Sequence, residues 1–345
     1  MKLLFLSPHP GFGGASSANM NMATMLGMLG HEVVYLNEYD CENTPSEYYR
    51  LDVFPIHRNK FLKRKRTNLY IESFNPEVII VGVPIIGFYY LSLLKRLKKK
   101  GVRIIYVFHS LSLSNGFVGR FDELIITKAI SSATDLLFVS EYTRKSWERY
   151  KAFRDMHARS YVIYNAIKPP QVTKVPKERY NNISFVGRVS AEKDPVLFCE
   201  AALAAKREGL PFVFSLWGDG PLLNELKDKY SSVVLFKGYE KNQSTIYENT
   251  DILVMTSQFE NCPMTILEAA SYGIPCVVPN VGGIPEIVND GHNGVIYNNR
   301  DAMEIIGSIN EIIGDYSTYS HNAYEESLKY SFEGIKSKWD ELLKV

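Results

Sequence analysis

The sequence predicts an α/β fold of two doubly wound domains in series, and three observations support this prediction. Strand-like runs alternate with helical stretches in the N-terminal half, the alternation restarts in the C-terminal half, and a proline-rich polar segment separates the two halves. At 345 residues the chain is long enough for two domains that each bury a core. Its contents of 46% hydrophobic and 22% charged residues are ordinary for a globular protein.

Short β-branched or aromatic runs in the N-terminal half predict the strands of a first domain over residues 1–168. The predicted strands are Lys2–Ser7, Glu32–Tyr35, Glu77–Gly82, Arg103–His109, Thr134–Ser140 and Tyr161–Ile167. The predicted helices between them are Ala15–Leu29, Ile85–Lys99, Arg120–Ser131 and Glu141–Tyr150. Alternation of this kind indicates a parallel sheet with helices on both faces.

The stretch "IKPPQVTKVPKERYNN" breaks the alternation with three prolines and predicts a linker over 169–182. A second domain then covers 183–317. Its predicted strands are Ile183–Gly187, Phe212–Gly218, Val233–Gly238, Ile252–Thr256, Pro275–Pro279 and Gly294–Tyr297, with helices over Pro195–Glu208 and from Pro263. A last helical stretch, at about 318–345, is a candidate to pack back on the first domain.

The near-zero net charge of +1 hides an asymmetry between the two halves. Residues 1–170 carry 23 Lys+Arg against 14 Asp+Glu, whereas the remainder carries 16 against 24. Two basic segments, 57–66 and 95–100, contribute to this excess. They favour contact with an anionic membrane surface, with solvated surface charge as the alternative. No basic module interleaved with aromatic residues is present, so nucleic acid is not an expected partner.

Cysteine usage and hydropathy both bear on the compartment. The four cysteines are scattered without a close pair or metal-ligand spacing, which suits a reducing cytosol. The apolar run at the N-terminus stops at Ser7-Pro8, too early for a signal-peptide core. Residues 78–94 carry no charge and precede basic residues, which fits either a short membrane span or a buried strand followed by a helix. The interruptions at Gly82, Pro84 and Gly87 favour the second interpretation.

Candidate site residues of the first domain follow strands, because sites in doubly wound sheets form at the carboxyl ends of strands. Gly13 and Gly14, in "SPHPGFGGASS", precede a helix, where backbone N–H groups can bind a phosphate. They lack the full dinucleotide-binding spacing, and a tight structural turn is the alternative. His109 ends a hydrophobic strand, where it serves either catalysis or a structural hydrogen bond.

In the second domain, "FVGRVSAEKDP" places Arg188 and Lys193 in one strand-to-helix loop. Two cations beside a helix N-terminus fit a diphosphate, and two solvated loop charges are the alternative. The turns "LWGDGP", with Gly218, and "FKGYE", with Tyr239, offer backbone groups and a wall to a nucleobase. Each is equally explained as a turn alone.

The stretch "QFENCPMTILEAASYG" contains two glutamates, Glu260 and Glu268, with Pro263 between them. Proline favours the first helical position, so we predict a helix that starts at Pro263, with Glu260 ahead of it and Glu268 inside it. Helix-start N–H groups bind anions, while carboxylates accept hydrogen bonds from sugar hydroxyls. Alternatively, Glu260 caps its own helix and Glu268 faces solvent.

Taken together, these motifs resemble those of retaining GT-B glycosyltransferases of family 4. The resemblance covers nearly the whole chain and is most specific in the two glutamates and the following "GIPCVVPNVGGIPEIVNDGHNGVIY". It implies two Rossmann-like domains facing each other across a cleft, with a nucleotide sugar bound mainly by the second. It also implies catalytic roles for Glu260 and His109. The implied donor-binding residues are Gly13, Gly14, Arg188, Lys193, Gly218, Tyr239, Asn261, Met264, Thr265 and Glu268.

The resemblance further implies a reaction and a setting. A hexose or N-acetylhexosamine would move from a UDP-sugar to a glycan, forming an α linkage. The implied acceptor is a lipid-linked oligosaccharide of bacterial O-antigen or capsule synthesis, and the implied location is the cytoplasm, peripherally on the inner membrane. No Asp-x-Asp motif occurs in the chain, so we expect no metal and no cofactor beyond the nucleotide sugar.

Three other functions stay open from the sequence. A glycoside hydrolase would use Glu260 and Glu268 as acid and nucleophile across one sugar, but it would need neither Arg188 nor Lys193. An epimerase of the same fold would act on a UDP-sugar without an acceptor. A homologue that binds a nucleotide sugar without turnover would retain the binding residues but not the activity.

Overall fold

The computed structural model describes residues 1–7, 13–37, 52–55, 60–110, 117–154, 156–168 and 180–344. The chain divides into a first unit, Met1–Ala166 with Lys338–Val345, and a second unit, Ile167–Ser337. Each unit contains one parallel β-sheet, and the predicted fold class of two doubly wound α/β domains is confirmed. Most of the predicted linker lies outside the described residues.

The first unit alternates strands with helices from its N-terminus. Its strands are β1 (Lys2–Ser7), β2 (Glu32–Asn37), β3 (Asp52–Pro55), β4 (Val78–Val81), β5 (Arg103–Phe108), β6 (Asp135–Phe138) and β7 (Arg159–Val162). Its helices are α1 (Gly14–Met28), α2 (Lys60–Phe74), α3 (Pro84–Tyr89), α4 (Leu91–Lys99), α5 (Phe117–Ile130), α6 (Glu141–Glu148) and α7 (Lys151–Arg154). The sequence did not predict β3 or α2, since four residues are too few to show alternation and α2 has the composition of a basic run.

The sheet of the first unit has the strand order β3-β2-β1-β4-β5-β6-β7. The chain winds outward in one direction from β1 and in the other from β4, so the winding reverses between these neighbours. The apolar runs of β1, β4 and β5 are buried, as parallel strands covered on both faces require. Ligand sites form where the winding reverses, at the carboxyl ends of the strands.

The predicted last strand of the first unit, Tyr161–Ile167, was wrong in its position. The observed strand β7 is Arg159–Val162, and its first residue lies opposite Asp135 of β6. Asp135 is fully buried, and the Arg159 guanidinium binds its carboxylate at 2.8 Å. The same carboxylate is also bound by the Arg103 guanidinium of β5 at 3.1 Å, so two arginines neutralise this buried charge, and apolar patterning could not reveal that Arg159 begins β7 beside it.

The predicted helix Ile85–Lys99 is divided into α3 and α4 at Tyr90, whose φ of −105° and ψ of 13° leave helical geometry. Tyr90 is buried together with the leucine row of α4, so the break turns both toward the core. The uncharged segment 78–94 thus comprises β4, α3 and the start of α4. Among the described residues, no helix is both long enough and apolar enough to cross a bilayer.

The second unit repeats the same architecture. Its strands are β8 (Asn182–Val186), β9 (Val213–Trp217), β10 (Val234–Gly238), β11 (Ile252–Val254), β12 (Cys276–Pro279) and β13 (Gly294–Tyr297). Its helices are α8 (Pro195–Arg207), α9 (Leu223–Tyr230), α10 (Gln243–Glu248), α11 (Met264–Ser271), α12 (Ala302–Gly314) and α13 (Tyr316–Leu328). A further helix, α14 (Phe332–Lys344), begins in the second unit and ends among the residues grouped with the first.

The sheet of the second unit has the strand order β10-β9-β8-β11-β12-β13. Its winding reverses between β8 and β11, which pair in parallel with Ile252 opposite Ile183. A core of aliphatic and aromatic side chains from these strands and from α8 and α12 supports the sheet. The loops that follow β8 and β11 therefore leave the same edge side by side.

The predicted C-terminal helical stretch is two helices, α13 and α14, separated by a turn at Lys329 and Tyr330. Its end, Lys338–Val345, is grouped with the first unit. There the Arg103 guanidinium donates to the carbonyl of Leu343 at 3.3 Å, and the indole of Trp339 is fully buried. The end of the chain is thus hydrogen-bonded to the first unit, with which it is grouped.

We expect Trp339→Ala to destabilise the first unit by about 3 to 5 kcal/mol, the cost of removing a large buried aromatic side chain. The Trp339 indole N–H has no hydrogen-bond partner among the described residues, so the loss measures packing alone. Urea unfolding followed by circular dichroism tests this. Met303→Ala, at a side chain that is 51% exposed, is the control. If Trp339→Ala unfolds at the same urea concentration as wild type, the C-terminal helix does not stabilise the first unit.

Candidate functional site

The loops after β8 and β11 bring together the residues that the sequence singled out in the second unit. Arg188 and Lys193 lie in the loop after β8, and Glu260 lies in the loop after β11. The main-chain N–H of Gln258 donates to the carbonyl of Glu192 at 2.9 Å and thereby joins the two loops. Both loops are therefore parts of one site.

Glu260 is 8% exposed, and one of its carboxylate oxygens is held by two donors. Its Oε1 accepts from the Lys193 ammonium at 2.5 Å and from the Ser257 hydroxyl at 2.7 Å. Its Oε2 makes no hydrogen bond within the described part of the chain. One oxygen is thus fixed by the protein, while the other retains acceptor capacity.

The two predicted cations differ in their surroundings. Lys193 ends a short 3-10 turn, Ala191–Lys193, and binds Glu260 directly. Arg188 comes earlier in the same loop and is exposed. The sequence did not predict that Lys193 pairs with Glu260, because 67 residues separate them along the chain. The ion pair leaves Arg188 as the more solvent-accessible charge of the loop.

Helix α11 begins at Met264, and Pro263 is its N-cap residue with φ −68° and ψ 120°. The prediction that Pro263 is the first helical residue was wrong by one position, since its extended ψ belongs to a cap. Met264 is buried, while Asn261 and Thr265 are half-buried. The first N–H groups of a helix have no intrahelical partner, so this end of α11 offers donors to an anion.

Glu268, inside α11, has partners of its own. Its carboxylate accepts from the Gln243 amide at 2.9 Å and from the Tyr247 hydroxyl at 2.7 Å. Burial raises the pKa of Glu268, and the two hydrogen bonds oppose that shift. Neither α10 residue was predicted, although both lie on the helix between the "FKGYE" turn and β11. Glu260 and Glu268 thus have separate sets of partners.

Gly218 is required by the packing of two loops. Its φ is +142°, and a Cβ there would lie 1.8 Å from the carbonyl oxygen of Gly187. Its own N–H donates to the carbonyl of Gly238 at 2.8 Å. Next to that turn, the side chain of Tyr239 is 57% exposed. A structural reason therefore accounts for Gly218, while Tyr239 presents an aromatic face to solvent.

In the first unit, His109 follows β5 and is held by Asn19 of α1. The Asn19 amide nitrogen donates to the carbonyl of Gly82 at 3.1 Å, so its oxygen faces His109 Nε2 at 2.8 Å. Nε2 therefore carries the proton. A Cβ on Gly82, directly after β4, would lie 2.5 Å from the Asn19 amide, so a larger residue there would displace the Asn19 side chain. The sequence predicted His109 but not Asn19.

Burial lowers the pKa of His109 to about 4, because the charged imidazolium loses its hydration. The imidazole is therefore neutral near pH 7. Its hydrogen bond to Asn19 fixes both the ring orientation and the tautomer. At neutral pH, His109 can therefore act as a hydrogen-bonding group but carries no positive charge.

The remaining predicted residues of the first unit are glycines and basic side chains. Gly13 is the N-cap of α1 with a φ of +98°, and Gly14 is its first residue; both are exposed. Residues 8–12, before them, lie outside the described part. In the segment 95–100, Arg96 pairs with Glu72, whereas Lys95, Lys99 and Lys100 are exposed. The segment 57–66 is described only in part.

Two family models match most of the chain. The model described as "Glycosyltransferase Family 4" matches residues 12–170, and the model "Glycosyl transferases group 1" matches residues 180–315. The boundary between them falls in the proline-rich segment. The two halves of the chain therefore correspond to the two domains of these transferases. Among the described residues, no cluster of three or more potential metal ligands occurs.

Curated relatives carry glycosyltransferase names. An Escherichia coli UDP-Gal:alpha-D-GlcNAc-diphosphoundecaprenol alpha-1,3-galactosyltransferase is 31% identical over 140 residues, which cover 38% of this chain and 36% of that protein. The O-antigen biosynthesis glycosyltransferase WbnH of Escherichia coli is 29% identical over 248 residues, covering 70% and 69% of the two chains.

A solved structure has the same fold. HepE of Anabaena, in complex with UDP, superposes over 100% of both chains with a TM-score of 0.81 and 18% sequence identity. The same protein in complex with UDP-glucose gives a TM-score of 0.79, at 18% identity, over 100% of this chain and 99% of that one. The agreement shows the architecture of the two sheets and their helices.

We predict that Gly218→Ala destabilises the second unit by at least ~2 kcal/mol, because it adds a steric clash to a strained backbone. Gly238→Ala is the matched control: Gly238 also has a positive φ, of +71°, but a Cβ at that position would have open space for 4 Å around it. Urea unfolding compares the two variants. Equal midpoints would show that the close approach to Gly187 is not a constraint.

We expect His109 to make stability depend on pH between about 6.5 and 4. Its folded pKa of about 4 lies below the ordinary 6.5, so the unfolded chain binds the proton first and the free energy of unfolding falls as the pH falls through this range. The slope contributed is at most about 1.4 kcal/mol per pH unit. Urea unfolding of wild type and His109→Gln at several pH values measures it. Parallel pH curves would refute the burial of a neutral imidazole.

Proposed function

This chain belongs to glycosyltransferase family 4, and we propose that it transfers a hexose or an N-acetylhexosamine from a UDP-sugar to a glycan acceptor. In this proposal the second unit binds the donor and the first unit binds the acceptor. The observation that carries it is the contact between Lys193 and Glu260 at the edge where the second sheet reverses its winding. A cation and a carboxylate in contact suit a ligand with a diphosphate at one end and sugar hydroxyls at the other.

The diphosphate is assigned to Lys193, Arg188 and the start of α11. As the bond to the sugar breaks, negative charge grows on the departing phosphate, and fixed positive groups stabilise that charge most. Lys193 is already oriented by Glu260, and the N–H groups at Met264 and Thr265 add the positive end of the helix dipole. These groups supply the electrostatic stabilisation that the proposal assigns to a site without a metal.

The transferred sugar is assigned to Glu260. Its Oε1 is occupied by Lys193 and Ser257, which leaves Oε2 to accept hydrogen bonds from sugar hydroxyls. Because the carboxylate is buried and held at one oxygen, its position is fixed before the donor binds. Asn261, next in the chain, is placed beside the same sugar in this proposal.

The ribose is assigned to Glu268. Gln243 and Tyr247 each occupy one lone pair of its carboxylate, and an ionised carboxylate has further lone pairs on both oxygens. Two vicinal hydroxyls of ribose suit the two oxygens. Tyr239, exposed after β10, is assigned to the nucleobase face, and Gly218 to the turn beside it. The UDP complexes of HepE support a uridine nucleotide.

The transfer is proposed to retain the anomeric configuration and to form an α linkage, with the acceptor attacking the face from which the phosphate departs. The departing phosphate accepts the proton of the acceptor hydroxyl. The neutral imidazole of His109 contributes a polar contact at the transfer centre without adding positive charge. Gly13 and Gly14 are assigned to the phosphates through their backbone N–H groups.

The acceptor is proposed to be a lipid-linked glycan of bacterial O-antigen or capsule synthesis. The names of the Escherichia coli relatives support this, since one acts on a sugar attached to diphosphoundecaprenol and another in O-antigen biosynthesis. The exposed Lys95, Lys99 and Lys100 suit an anionic lipid surface. We therefore place the enzyme peripherally on the cytoplasmic face of the inner membrane.

A transfer assay with UDP-, GDP- and ADP-sugars and lipid-diphosphate-linked acceptors tests the proposal. We expect transfer from a UDP-sugar, an α-anomeric product by NMR, and unchanged rates with a chelator. Glu260→Gln should lower kcat about 10² to 10³-fold, the loss typical for an electrostatic group at a reacting centre, with little change in UDP affinity. Glu225→Gln, at an exposed residue of α9, is the control.

The alternatives give different results in the same assay. An epimerase interconverts the UDP-sugar without an acceptor, a hydrolase releases free sugar from a glycoside, and a non-catalytic homologue binds UDP without turnover. Wild-type activity in Glu260→Gln would refute the assignment of that residue.

A further inference from the structure

The guanidinium of Arg300 joins the two loops that carry Lys193 and Glu260. Arg300 lies between β13 and α12, and it donates to the carbonyl of Ser257 at 3.2 Å and to the carbonyl of Thr256. It also donates to the Asp194 carboxylate at 2.6 Å. Asp194 follows Lys193 directly, and Ser257 binds Glu260. Arg300 is therefore linked to Lys193 through Asp194 and to Glu260 through Ser257.

A second side chain from the same strand end supports the loop after β11. The Tyr297 hydroxyl donates to the carbonyl of Met255 at 3.0 Å. Three successive carbonyls, those of Met255, Thr256 and Ser257, thus accept hydrogen bonds from Tyr297 and Arg300. Each of these carbonyls is oriented by a side chain from β13 or the loop after it. The path of the chain toward Glu260 is therefore set by the end of β13.

The loop after β8 is fixed from the same side. Asp194 has a left-handed backbone, with φ 41° and ψ 57°, which a residue other than glycine adopts at a cost. One of its carboxylate oxygens caps α8 at the N–H of Leu197, and the other binds Arg300. The Thr256 hydroxyl donates to the carbonyls of Lys193 at 3.0 Å and Asp194 at 2.8 Å. The strained turn is thus held by side-chain partners on both sides.

We propose that Arg300, with its partner Asp194, is a positioning residue that holds Lys193 and Glu260 in the geometry needed for transfer. This rests on the proposed function. The planar guanidinium offers several donors in a fixed arrangement, so one side chain can hold a carboxylate and two carbonyls at once. The Arg300 side chain is 37% exposed, so solvent screens its charge and its contribution is geometric. Arg300 contacts neither the Lys193 nor the Glu260 side chain in these bonds. It acts through the Asp194 carboxylate on one loop and through the carbonyls of Thr256 and Ser257 on the other.

Kinetics of Arg300→Met and Arg300→Lys test the proposal. Displacement of a fixed catalytic group by about 1 Å can cost roughly 10²-fold in rate, so we expect Arg300→Met to lower kcat about 10 to 100-fold while the donor KM changes by less than about threefold. Arg300→Lys should recover little, because an ammonium lacks the planar fork. Arg207→Met, at an exposed arginine in the last turn of α8, is the matched control and should retain wild-type rates.

A rescue experiment separates positioning from a loss of stability. Guanidinium ion at low millimolar concentration should restore part of the kcat of Arg300→Ala and should not change wild type or Arg207→Ala. Asp194→Asn should lower kcat less than Arg300→Met does, and the double variant should be no slower than Arg300→Met alone, since the two residues act as one unit. Additive losses, an absence of rescue, or a kcat for Arg300→Met within twofold of wild type would overturn the proposal.

Hydrogen exchange gives a readout that needs no turnover. In Arg300→Met, amides of 191–194 and 255–260 should exchange faster, while those of β9, in the same unit, should not. Unchanged exchange in the two loops overturns the positioning role whether or not the enzyme is active. If wild type transfers no sugar from any donor, the proposed function fails instead, and the exchange measurement still decides whether Arg300 holds the two loops.

Discussion

The parallel pairing of β8 with β11 is the constraint on which the rest of the candidate site depends. These strands are neighbours in the sheet although the chain builds β9 and β10 between them. Their carboxyl ends therefore leave the same edge, and the loops that follow must lie side by side. Only this arrangement lets the Lys193 ammonium reach the Glu260 carboxylate. A buried carboxylate without such a partner would be costly, so the pairing of strands and the pairing of charges support each other.

Close approach of backbones is the second condition at this edge. A Cβ on Gly218 would lie 1.8 Å from the carbonyl of Gly187, and a Cβ on Gly282 would lie 1.8 Å from the carbonyl of Glu260. The N–H of Gly283 also donates to that Glu260 carbonyl at 3.0 Å. The turn after β12 thus contacts the main chain of Glu260, whereas Lys193 contacts its side chain. These glycines are explained by packing, and ligand binding is not needed to account for them.

In the first unit, too, a side chain from a distant part of the sequence joins the ends of neighbouring strands, but the groups involved are neutral. Asn19, from α1, joins the carbonyl at the end of β4 to the imidazole after β5. The helix that follows the first strand thereby positions the polar side chain two strands away in the sheet. In the second unit the corresponding edge carries the ion pair of Lys193 and Glu260, whereas here the side chains are uncharged, with Asn19 buried and His109 half-buried. That difference suits a diphosphate in one unit and a neutral sugar in the other.

The sequence by itself determined the order and type of most elements, because apolar runs and glycine or proline boundaries are local signals. It also determined the family, since the two glutamates and the glycine-rich stretch after them lie in one continuous segment. The helix start near Pro263, Arg188 and Lys193 in one loop, and His109 at a strand end were all predicted from such local patterns.

Only the tertiary structure decided which side chains meet. The long-range partners of Glu260, Asp194 and His109 lie 67, 106 and 90 residues away along the chain. Parallel strands require crossover connections, so residues that share one edge of a sheet are far apart in sequence, and no local pattern records their contact. The start of β7 is a further case, since Arg159 there binds the buried Asp135 of a neighbouring strand, 24 residues away along the chain.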